Sequence, residues 1–339
     1  MVLQRKISVH TEIPEEELAI GELIGEGNAG AVYRGVWRGK YVAIKQFKKE
    51  IPFEDFIKEL SIMSLVQHPN LVKCYGGVTN GKKWIVDELM QVNLSQVLLN
   101  KHIQIDYGII AEIAINAAAG IDYLHNHCNL IHRDLKSMNL LINTYKTHLE
   151  VKVCDFALSR VISKKEQMTG QVGTVSWTAP EVLVGRKKYN EKADVYSFGI
   201  ILWELVTRRE PYKEMNPVQV ILDVTRGKRE AIPKECPPEL KRLINACWAA
   251  KYKQRPSMSS VIQYLRKFHK GLSSVDKAQI TLNVTTLIGS SQKSESSDVP
   301  LKNPSQSSEL NISQTEEQPH KFRSSQITEP ISETTSEED

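Results

Sequence analysis

The sequence predicts an α+β fold of two lobes, a small β-rich lobe followed by a larger helical lobe, with a cleft between them. Short β-branched or alternating runs occupy the stretch from Leu18 to Ile85, as expected of strands. Beyond residue 91 apolar side chains recur at helical spacing. Residues 271–339 are dominated by Ser, Thr, Glu and Gln, and such a composition buries too little apolar surface to fold. We therefore expect a disordered tail after the two lobes.

The small lobe is predicted from strands and one helix. Ala31–Trp37 and Tyr41–Phe47 have strand character, and Gly39-Lys40 between them indicates a hairpin turn. From Phe53 to Val66 the spacing becomes helical, which predicts a helix packed on the sheet. Its apolar face consists of Phe56, Leu60, Met63 and, less regularly, Ile57. Residues 1–14 are polar and are expected to be frayed.

The large lobe is predicted to be mainly helical. One face of the first helix collects Ile113, Ala117, Gly120, Ile121 and Leu124. The second helix is almost wholly apolar, so we expect it to be buried. The predicted helices are Ile109–His125, Val195–Val206, Pro217–Thr225, Pro238–Trp248 and Ser257–Phe268.

Composition narrows the class of protein. No run of eighteen apolar residues occurs, so no transmembrane helix and no membrane association are expected. Five cysteines without a C-x-x-C pair argue against a zinc site or disulfides and for a reducing, cytoplasmic location. Residues 1–270 carry a net charge of +10 and residues 271–339 one of −6. Since the basic residues are scattered, nucleic-acid binding is not expected.

Two short motifs carry the chemistry. His132-Arg133-Asp134-Leu135-Lys136-Ser137-Met138-Asn139 is followed by Asp155-Phe156-Ala157. Together they supply a candidate catalytic base (Asp134), a candidate phosphate-binding lysine (Lys136) and two candidate Mg²⁺ ligands (Asn139 and Asp155). Phosphoryl transfer depends on positioning and charge neutralisation, which these residue types provide.

A glycine-rich stretch lies upstream, with Gly25, Gly27 and Gly30 in a G-x-G-x-x-G-x-V pattern. Glycine lets the backbone approach phosphates where a Cβ would clash. Alone the pattern is weak, because a plain hairpin turn also explains it. Val42-Ala43-Ile44-Lys45 follows at strand-length distance, which strengthens the nucleotide-binding interpretation.

With Ala179-Pro180-Glu181, these motifs stand in the order of the protein-kinase signature set. The chain resembles the eukaryotic protein kinases from about residue 15 to residue 270, and it looks most like the tyrosine-kinase-like group of serine/threonine kinases. The group resemblance is carried by His68–Val72, Gly173–Glu181 and Asp194–Gly199. The resemblance implies a bilobal protein-kinase fold. Its parts are an N-terminal extension (1–14), a kinase domain (15–270) with small lobe 15–87, hinge 88–91 and large lobe 92–270, and the tail 271–339.

The resemblance also implies roles for single residues. Lys45 contacts the α- and β-phosphates of ATP and pairs with a carboxylate on the first helix, for which Glu59 is at the expected place. Glu54 and Asp55 are the alternatives at the helix start, where the helix dipole favours acids in any case. Val32, Ala43 and Leu141 enclose the adenine, while Glu88 and Met90 offer backbone hydrogen bonds at the hinge.

At the reacting end, Asp134 orients the substrate hydroxyl, and Asn139 and Asp155 hold Mg²⁺. Lys136 is typical of serine/threonine kinases, where it steadies the γ-phosphate, although dual specificity is left open. Thr174 is expected to bond Asp134 and Lys136. The implied partners are protein substrates and an upstream kinase. The sequence gives no oligomeric state.

Further roles by resemblance concern structure and control. Arg133 pairs with a phosphate on the activation segment, Asp155 to Glu181, and phosphorylation there orders the loop. Glu181 pairs with Arg255, and Asp194 receives backbone N–H bonds from the catalytic loop. The candidate phosphate acceptors are Thr169 and Ser163, then Ser159 and Ser176.

Four features depart from the family pattern. Ala157 replaces a glycine, which predicts retained chemistry but a stiffer switch of Asp155. Asp87 falls at the gatekeeper position, where it either competes with Glu59 for Lys45 or bonds harmlessly to water or backbone. The stretch from Leu140 to Cys154 is about three residues longer than usual, and Asn143 to His148 is expected to form the longer turn. The Gly-Gly common after the hinge is absent from Gln91-Val92-Asn93-Leu94.

Cys154, just before Asp155, either faces the nucleotide site or is a buried, inert thiol. The function predicted from all these residues is an ATP- and Mg²⁺-dependent protein serine/threonine kinase in intracellular signalling. One alternative is a nucleotide-binding pseudokinase or scaffold, supported by Ala157 and Asp87. Another is that the Ser/Thr-rich tail recruits partners.

Overall fold

The computed structural model describes residues 12–27, 29–145, 148–155, 160–161, 175–185 and 189–272. The tail from residue 273, residues 1–11, Ala157 and Thr174 lie outside the described residues. So do three of the candidate phosphate acceptors, Ser159, Ser163 and Thr169. Their predicted roles therefore stay predictions. No helix within the described ranges is long and apolar enough to cross a bilayer.

The small lobe is an antiparallel five-stranded sheet with one helix, as predicted. Its strand order is β1-β2-β3-β5-β4. Phe56, Leu60 and Met63 on the helix are buried, so the predicted apolar face is correct. The elements are β1 Leu18–Glu26, β2 Gly30–Trp37, β3 Lys40–Phe47, α1 Phe53–Leu65, β4 Cys74–Val78 and β5 Trp84–Glu88.

The hairpin between β2 and β3 turns one residue earlier than predicted. Arg38 (φ 48°) and Gly39 (φ 74°) occupy the turn, and Lys40 already pairs with Trp37 in the ladder. Two successive left-handed residues match the twist of the flanking strands, which makes this the favoured two-residue hairpin turn. Arg38 is held there by Glu17, whose Oε2 accepts from Nε at 2.7 Å.

The prediction that residues 1–14 are frayed is wrong for residues 12–14, the part of this segment that the structure describes. Ile13 is 2% exposed and its N–H donates to the Gly77 carbonyl at 2.8 Å. The Glu12 carboxylate accepts from the backbone N–H and the hydroxyl of Thr79. The buried Ile13 side chain and the hydrogen bonds of Glu12 and Ile13 therefore hold this short stretch against the sheet.

The large lobe contains the predicted helices, with ends shifted by a few residues, and two small sheets. One sheet has strand order β6-β8-β9 and the other pairs β10 with β7. The elements are β6 Val92–Asn93, α2 Leu94–Leu99, α3 Tyr107–Asn126, β7 Leu130–Ile131, β8 Leu140–Thr144, β9 Leu149–Val153, β10 Arg160–Val161, α4 Pro180–Leu183, α5 Lys192–Thr207, α6 Pro217–Thr225, α7 Pro238–Cys247 and α8 Met258–Gly271.

Helix α5 is the centre of the large lobe. It is buried on all sides from Ala193 to Leu205, which agrees with its almost wholly apolar sequence. The short helix α2 was not predicted from the sequence. That helix begins with a capping box in which Asn93 and Gln96 each accept from the other's backbone N–H.

Candidate active site

Lys45 lies at the centre of a charged cluster between the two lobes. Strand β3 carries it, and its Nζ lies 2.8 Å from Glu59 Oε1 and 3.0 Å from Asp155 Oδ1. Glu59 comes from α1, where it is 3% exposed, while the alternatives Glu54 and Asp55 are exposed at the helix start. The predicted pair is therefore the one that forms.

The charges of Lys45 and Asp155 stabilise each other, whereas burial outweighs the attraction of Lys45 and raises the pKa of Glu59. Burial acts to lower the pKa of Lys45, but the attraction of Asp155 and Glu59 outweighs it and the pKa is raised. Burial acts to raise the pKa of Asp155, and Lys45 outweighs this so that the pKa lies below its usual value. The ammonium and the Asp155 carboxylate are thus both charged at neutral pH.

The loop between β7 and β8 brings together Asp134, Lys136 and Asn139, the other three residues predicted to carry the chemistry. Lys136 Nζ donates to Asp134 Oδ2 at 2.7 Å. Asn139 Nδ2 donates to the Asp134 backbone carbonyl at 2.7 Å, and the Cys154 N–H donates to the Asn139 carbonyl at 3.0 Å. The last bond joins this loop to the segment just after β9, which carries Asp155.

Asp194 at the start of α5 accepts backbone hydrogen bonds from the loop between β7 and β8, as expected. Its Oδ2 accepts from the His132 N–H at 2.8 Å and its Oδ1 from the Arg133 N–H at 2.9 Å. His125 Nε2 lies 2.7 Å from Oδ2. Burial acts to raise the pKa of Asp194, but the bond from His125 and the other donors outweigh it and lower the pKa. The loop thus rests on a buried, ionised carboxylate.

Two residues of the site have left-handed backbone, Arg133 with φ 76° and Asp155 with φ 65°. Neither is glycine, so each conformation costs free energy, of order 1–3 kcal/mol. Both are held in place, Arg133 by Asp194 and Asp155 by Lys45. Such strain is typical of sites where side-chain direction matters more than stability.

The oxygen atoms available at the site suit a magnesium ion carried by a nucleotide. The Asn139 amide donates from Nδ2, so its Oδ1 is directed elsewhere and no described residue donates to it. The described residues contain no group of three or more His, Cys, Asp or Glu that would cage a metal alone. Mg²⁺ usually takes one or two protein ligands plus phosphates and waters, so Asn139 and Asp155 fit that role.

The glycines of the β1–β2 loop differ in what they require. A Cβ on Gly30 would lie 1.9 Å from the Gln46 carbonyl oxygen, so this glycine is needed for strand packing. A Cβ on Gly27 would meet nothing within 4 Å, and one on Gly25 only Val32 at 3.9 Å. Packing within the described residues therefore does not require Gly25 or Gly27, and their approach to a ligand stays a prediction, whereas Gly30 has a structural role.

The residues predicted to enclose the adenine lie on three different strands. Val32 on β2, Ala43 on β3 and Leu141 on β8 are each half-buried. At the hinge, the Glu88 N–H donates to the Lys73 carbonyl at 2.9 Å, so Glu88 can offer only its carbonyl. No described residue bonds the backbone N–H or carbonyl of Met90.

Asp87 neither displaces Glu59 as the partner of Lys45 nor has hydrogen bonds to both of its carboxylate oxygens. Lys45 is bound to Glu59 and Asp155 instead, and the buried Oδ1 of Asp87 has no hydrogen-bond partner among the described residues. Burial raises the pKa of Asp87 to about 7, against the opposing effects of Lys45 and the Cys74 thiol. The gatekeeper position therefore carries a carboxyl group that is close to half protonated at neutral pH.

Asp87→Asn is expected to stabilise the protein more at pH 8 than at pH 5. Because the folded pKa of about 7 exceeds the unfolded value of about 3.9, the wild type loses stability, roughly 1–4 kcal/mol, as the pH rises between them. The amide cannot titrate and escapes this loss. Thermal unfolding at both pH values measures the effect, with the exposed Asp55→Asn as control. A pH-independent difference would show that Asp87 does not titrate in this range.

The same carboxyl group is expected to influence the nucleotide site. We retain the expectation that Asp87→Thr changes the catalytic rate or the affinity for ATP, since Glu59 and Lys45 both act on Asp87 electrostatically. Steady-state kinetics at several ATP concentrations measure this. Unchanged kinetic constants would contradict it.

Burial, followed by the charge of Asp155, raises the pKa of the Cys154 thiol, which argues for low reactivity, although the residue is half-buried and not fully enclosed. The turn after β8 is shorter than predicted, since Asn143 and Thr144 pair within the ladder and only 145–148 connect the strands.

The predicted Glu181–Arg255 pair forms. Both terminal nitrogens of Arg255 donate to the Glu181 carboxylate, at 2.7 and 2.8 Å.

Several side-chain hydrogen bonds of the loop between β7 and β8 were not predicted from the sequence. The buried Glu204 on α5 accepts from Ser137 Oγ and from Trp177 Nε1, both at 2.7 Å. Burial raises the pKa of Glu204 to about 8. Arg133 Nε donates to the Tyr189 hydroxyl at 2.5 Å. These contacts join the loop to Tyr189, which follows the activation segment, and to Glu204 on α5. Glu204 in turn binds Trp177 within the activation segment.

Comparison with known proteins agrees with this geometry. The family model described as protein tyrosine and serine/threonine kinase matches residues 18–265. A probable LIM domain-containing serine/threonine-protein kinase of Dictyostelium discoideum is 40% identical over 280 residues, 80% of this chain and 42% of the relative. A putative serine/threonine-protein kinase/receptor of Acanthamoeba polyphaga mimivirus is 41% identical over 257 residues, 74% of this chain and 16% of the relative.

A dual specificity protein kinase of Dictyostelium discoideum is 40% identical over 268 residues, 76% of this chain and 50% of the relative. The chain thus spans half or less of the length of these three relatives. The matched region coincides with the two lobes and with every residue of the charged cluster. The chain belongs to the eukaryotic protein kinases, and its two lobes form the protein kinase domain.

Proposed function

We propose that the protein transfers the γ-phosphate of ATP to serine and threonine hydroxyls of protein substrates, with Mg²⁺, as a signalling kinase of the tyrosine-kinase-like group. The observation that carries the proposal is the meeting of two clusters at one cleft. Lys45 pairs with Glu59 and Asp155 on one side, and Asp134 pairs with Lys136 on the other. This is the set of charges that phosphoryl transfer requires.

Each residue has a physical task in this proposal. Lys45, oriented by Glu59, binds the α- and β-phosphates of ATP. Asp134 accepts a hydrogen bond from the incoming hydroxyl and takes its proton, while Lys136, 2.7 Å away, supplies positive charge beside the transferred group. Asn139 and Asp155 would hold Mg²⁺, which would neutralise phosphate charge. Val32, Ala43, Leu141 and the backbone of Glu88 and Met90 hold the adenine.

Control by phosphorylation is part of the proposal. Arg133 is directed towards Tyr189, which follows the activation segment, and its guanidinium lies 5.7 Å from that ring. A phosphate on Thr169 or Ser163, placed by an upstream kinase, would offer Arg133 a stronger acceptor than a phenol.

The five cysteines are free thiols, which supports a reducing, cytoplasmic setting.

The test is incubation of the full chain with γ-labelled ATP, Mg²⁺ and a mixture of protein substrates, beside an Asp155→Ala control. Label on serine and threonine that is lost in the control is the expected result. Label on tyrosine as well would change the assignment to dual specificity. If ATP binds but no label is transferred, even by a variant with acidic residues at Ser163 and Thr169, the pseudokinase alternative is correct.

A further inference from the structure

The hinge is fastened to the β8–β9 hairpin beyond the end of the regular ladder. Strand β6 pairs with β8 through Val92 opposite Ile142 and Asn93 opposite Leu141. The next rung would join Gln91 and Asn143, and there side chains replace the backbone. The Gln91 N–H donates to Asn143 Oδ1 at 2.9 Å, and Gln91 Oε1 accepts from the Thr144 N–H at 2.8 Å.

The same asparagine reaches further along the hinge. Asn143 Nδ2 lies 3.3 Å from Met90 Sδ and donates to Glu150 Oε2 at 3.0 Å. Glu150 pairs with Lys152 at 3.1 Å. Lys152 Nζ in turn lies 2.7 Å from both carboxylate oxygens of Glu88 at the other end of the hinge. Asn143 is therefore bonded to the hinge directly and linked to its far end through two charged side chains.

We propose that Asn143 is a positioning residue which, through its bonds to the Gln91 N–H and to Glu150, fixes the hinge backbone at Met90 to receive a purine base. The proposal rests on the proposed function, which places the adenine of ATP at this backbone. We call the set Gln91, Asn143, Thr144 and Glu150 the hinge clasp. The clasp combines two departures from the family pattern, the longer β8–β9 stretch and the missing glycines after the hinge.

The physical reason is preorganisation. Two backbone hydrogen bonds to a base require the hinge peptides at a fixed distance and angle, and a mobile segment loses entropy when it binds. A segment already bonded to a rigid hairpin avoids part of that loss. The clasp residues touch neither the phosphate-binding Lys45 nor the catalytic Asp134. Loss of the clasp should therefore weaken the binding of the base and leave the phosphate contacts intact.

The test compares two ligands that share the base. Calorimetric titration measures the affinity of the full chain for adenosine, which has no phosphates, and for Mg²⁺–ADP. Asn143→Ala is expected to weaken both by the same factor, roughly five- to tenfold, the size of one or two net hydrogen bonds. Lys45→Ala should weaken ADP alone. In steady-state assays Asn143→Ala should raise the KM for ATP with little change in kcat.

Three further variants separate positioning from general damage. Asn143→Asp combined with Glu150→Gln exchanges donor and acceptor, so the bonds to Gln91 and to position 150 can re-form and affinity should return to within about threefold of wild type. Tyr145→Phe removes another bond to Glu150, at 3.2 Å, without touching the hinge and should leave both affinities unchanged. Gln91→Ala changes an exposed residue and should weaken adenosine binding without unfolding the lobe.

Adenosine affinity equal to wild type in both Asn143→Ala and Gln91→Ala would overturn the proposal. So would an effect on ADP alone, because that would place the defect at the phosphates. These readouts do not depend on phosphoryl transfer, so they remain decisive if the chain binds nucleotide without being an active kinase. Failure of the wild type to bind adenosine at all would overturn both the proposal and the assignment of the hinge.

Discussion

Asp134→Asn should reduce the rate of phosphoryl transfer by about a thousandfold, within the range of 10²–10⁴ that a positioned proton acceptor contributes. The substitution changes one oxygen to an amide nitrogen and preserves the shape of the loop. The bond from Asn139 Nδ2 to the Asp134 backbone carbonyl is retained, whereas its longer bond of 3.3 Å to Asp134 Oδ2 ends on the changed group. The substitution removes the negative charge that faces Lys136 and accepts the proton.

The kinetic pattern is as informative as the size of the loss. Because Lys45, Glu59 and Asp155 lie outside the changed side chain, the KM for ATP should stay within about twofold while kcat falls, the signature of an interaction made in the transition state. Steady-state measurements give kcat and KM, and single-turnover measurements with saturating ATP and peptide give the rate of the chemical step. Asp55→Asn, an exposed change of the same chemistry on α1, is the matched control.

Activity within tenfold of wild type would contradict the assignment of Asp134. In that case the remaining candidate for proton transfer would be solvent, with Asp134 serving only to orient Lys136. Thermal unfolding of the variant must accompany the kinetics, because loss of the Lys136 pair also alters the loop. An unchanged unfolding temperature with a large loss of kcat separates the chemical effect from the structural one.

The charged cluster could be predicted from sequence because each member stands at a fixed distance from a recognisable pattern. Glu59 lies on the buried face of a helix whose period is visible in Phe56, Leu60 and Met63. The loop from His132 to Asn139 is short, so its residues stay close wherever the loop goes. For such residues local spacing determines neighbourhood, and the structure adds the distances.

The contacts that support the cluster could not be predicted in this way. Glu204 is a polar residue in an apolar helix, and its partners Ser137 and Trp177 lie 67 and 27 positions away. The link between Asn143 and Gln91 spans 52 positions. Periodicity reports which face of an element is buried but not what it meets there. Burial of Ile13 and the close contact at Gly30 are likewise products of tertiary packing.

Glu181→Ala should destabilise the kinase domain by about 3–5 kcal/mol, the usual result of leaving one partner of a buried ion pair alone. The Arg255 side chain is fully buried and Glu181 is 6% exposed. Arg255 also donates to the carbonyls of Ala249 and Lys192, each at 2.8 Å, so its guanidinium cannot rotate out to solvent without breaking them. An uncompensated cation would remain in the core.

The chain offers a matched control in an exposed pair of the same chemistry. Arg242 Nη2 lies 3.1 Å from Glu239 Oε1, with the side chains 66% and 46% exposed. Glu239→Ala should therefore cost about 0–1 kcal/mol. Urea unfolding followed by tryptophan fluorescence gives both free energies in one experiment. Equal losses would show that burial does not govern the Glu181 pair.

Glu181→Gln distinguishes charge from hydrogen bonding. Glutamine keeps one oxygen to accept from Arg255 but turns an amide N–H towards the other guanidinium nitrogen, which also donates. Two donors then face each other in a buried site, so the amide should recover little of the loss caused by alanine. Since Glu181 lies on α4 and is also the last residue of the activation segment, any loosening of Glu181 also loosens the end of that segment. We therefore expect kcat to fall in Glu181→Gln at temperatures where the domain remains folded, whereas Glu239→Ala should leave kcat unchanged.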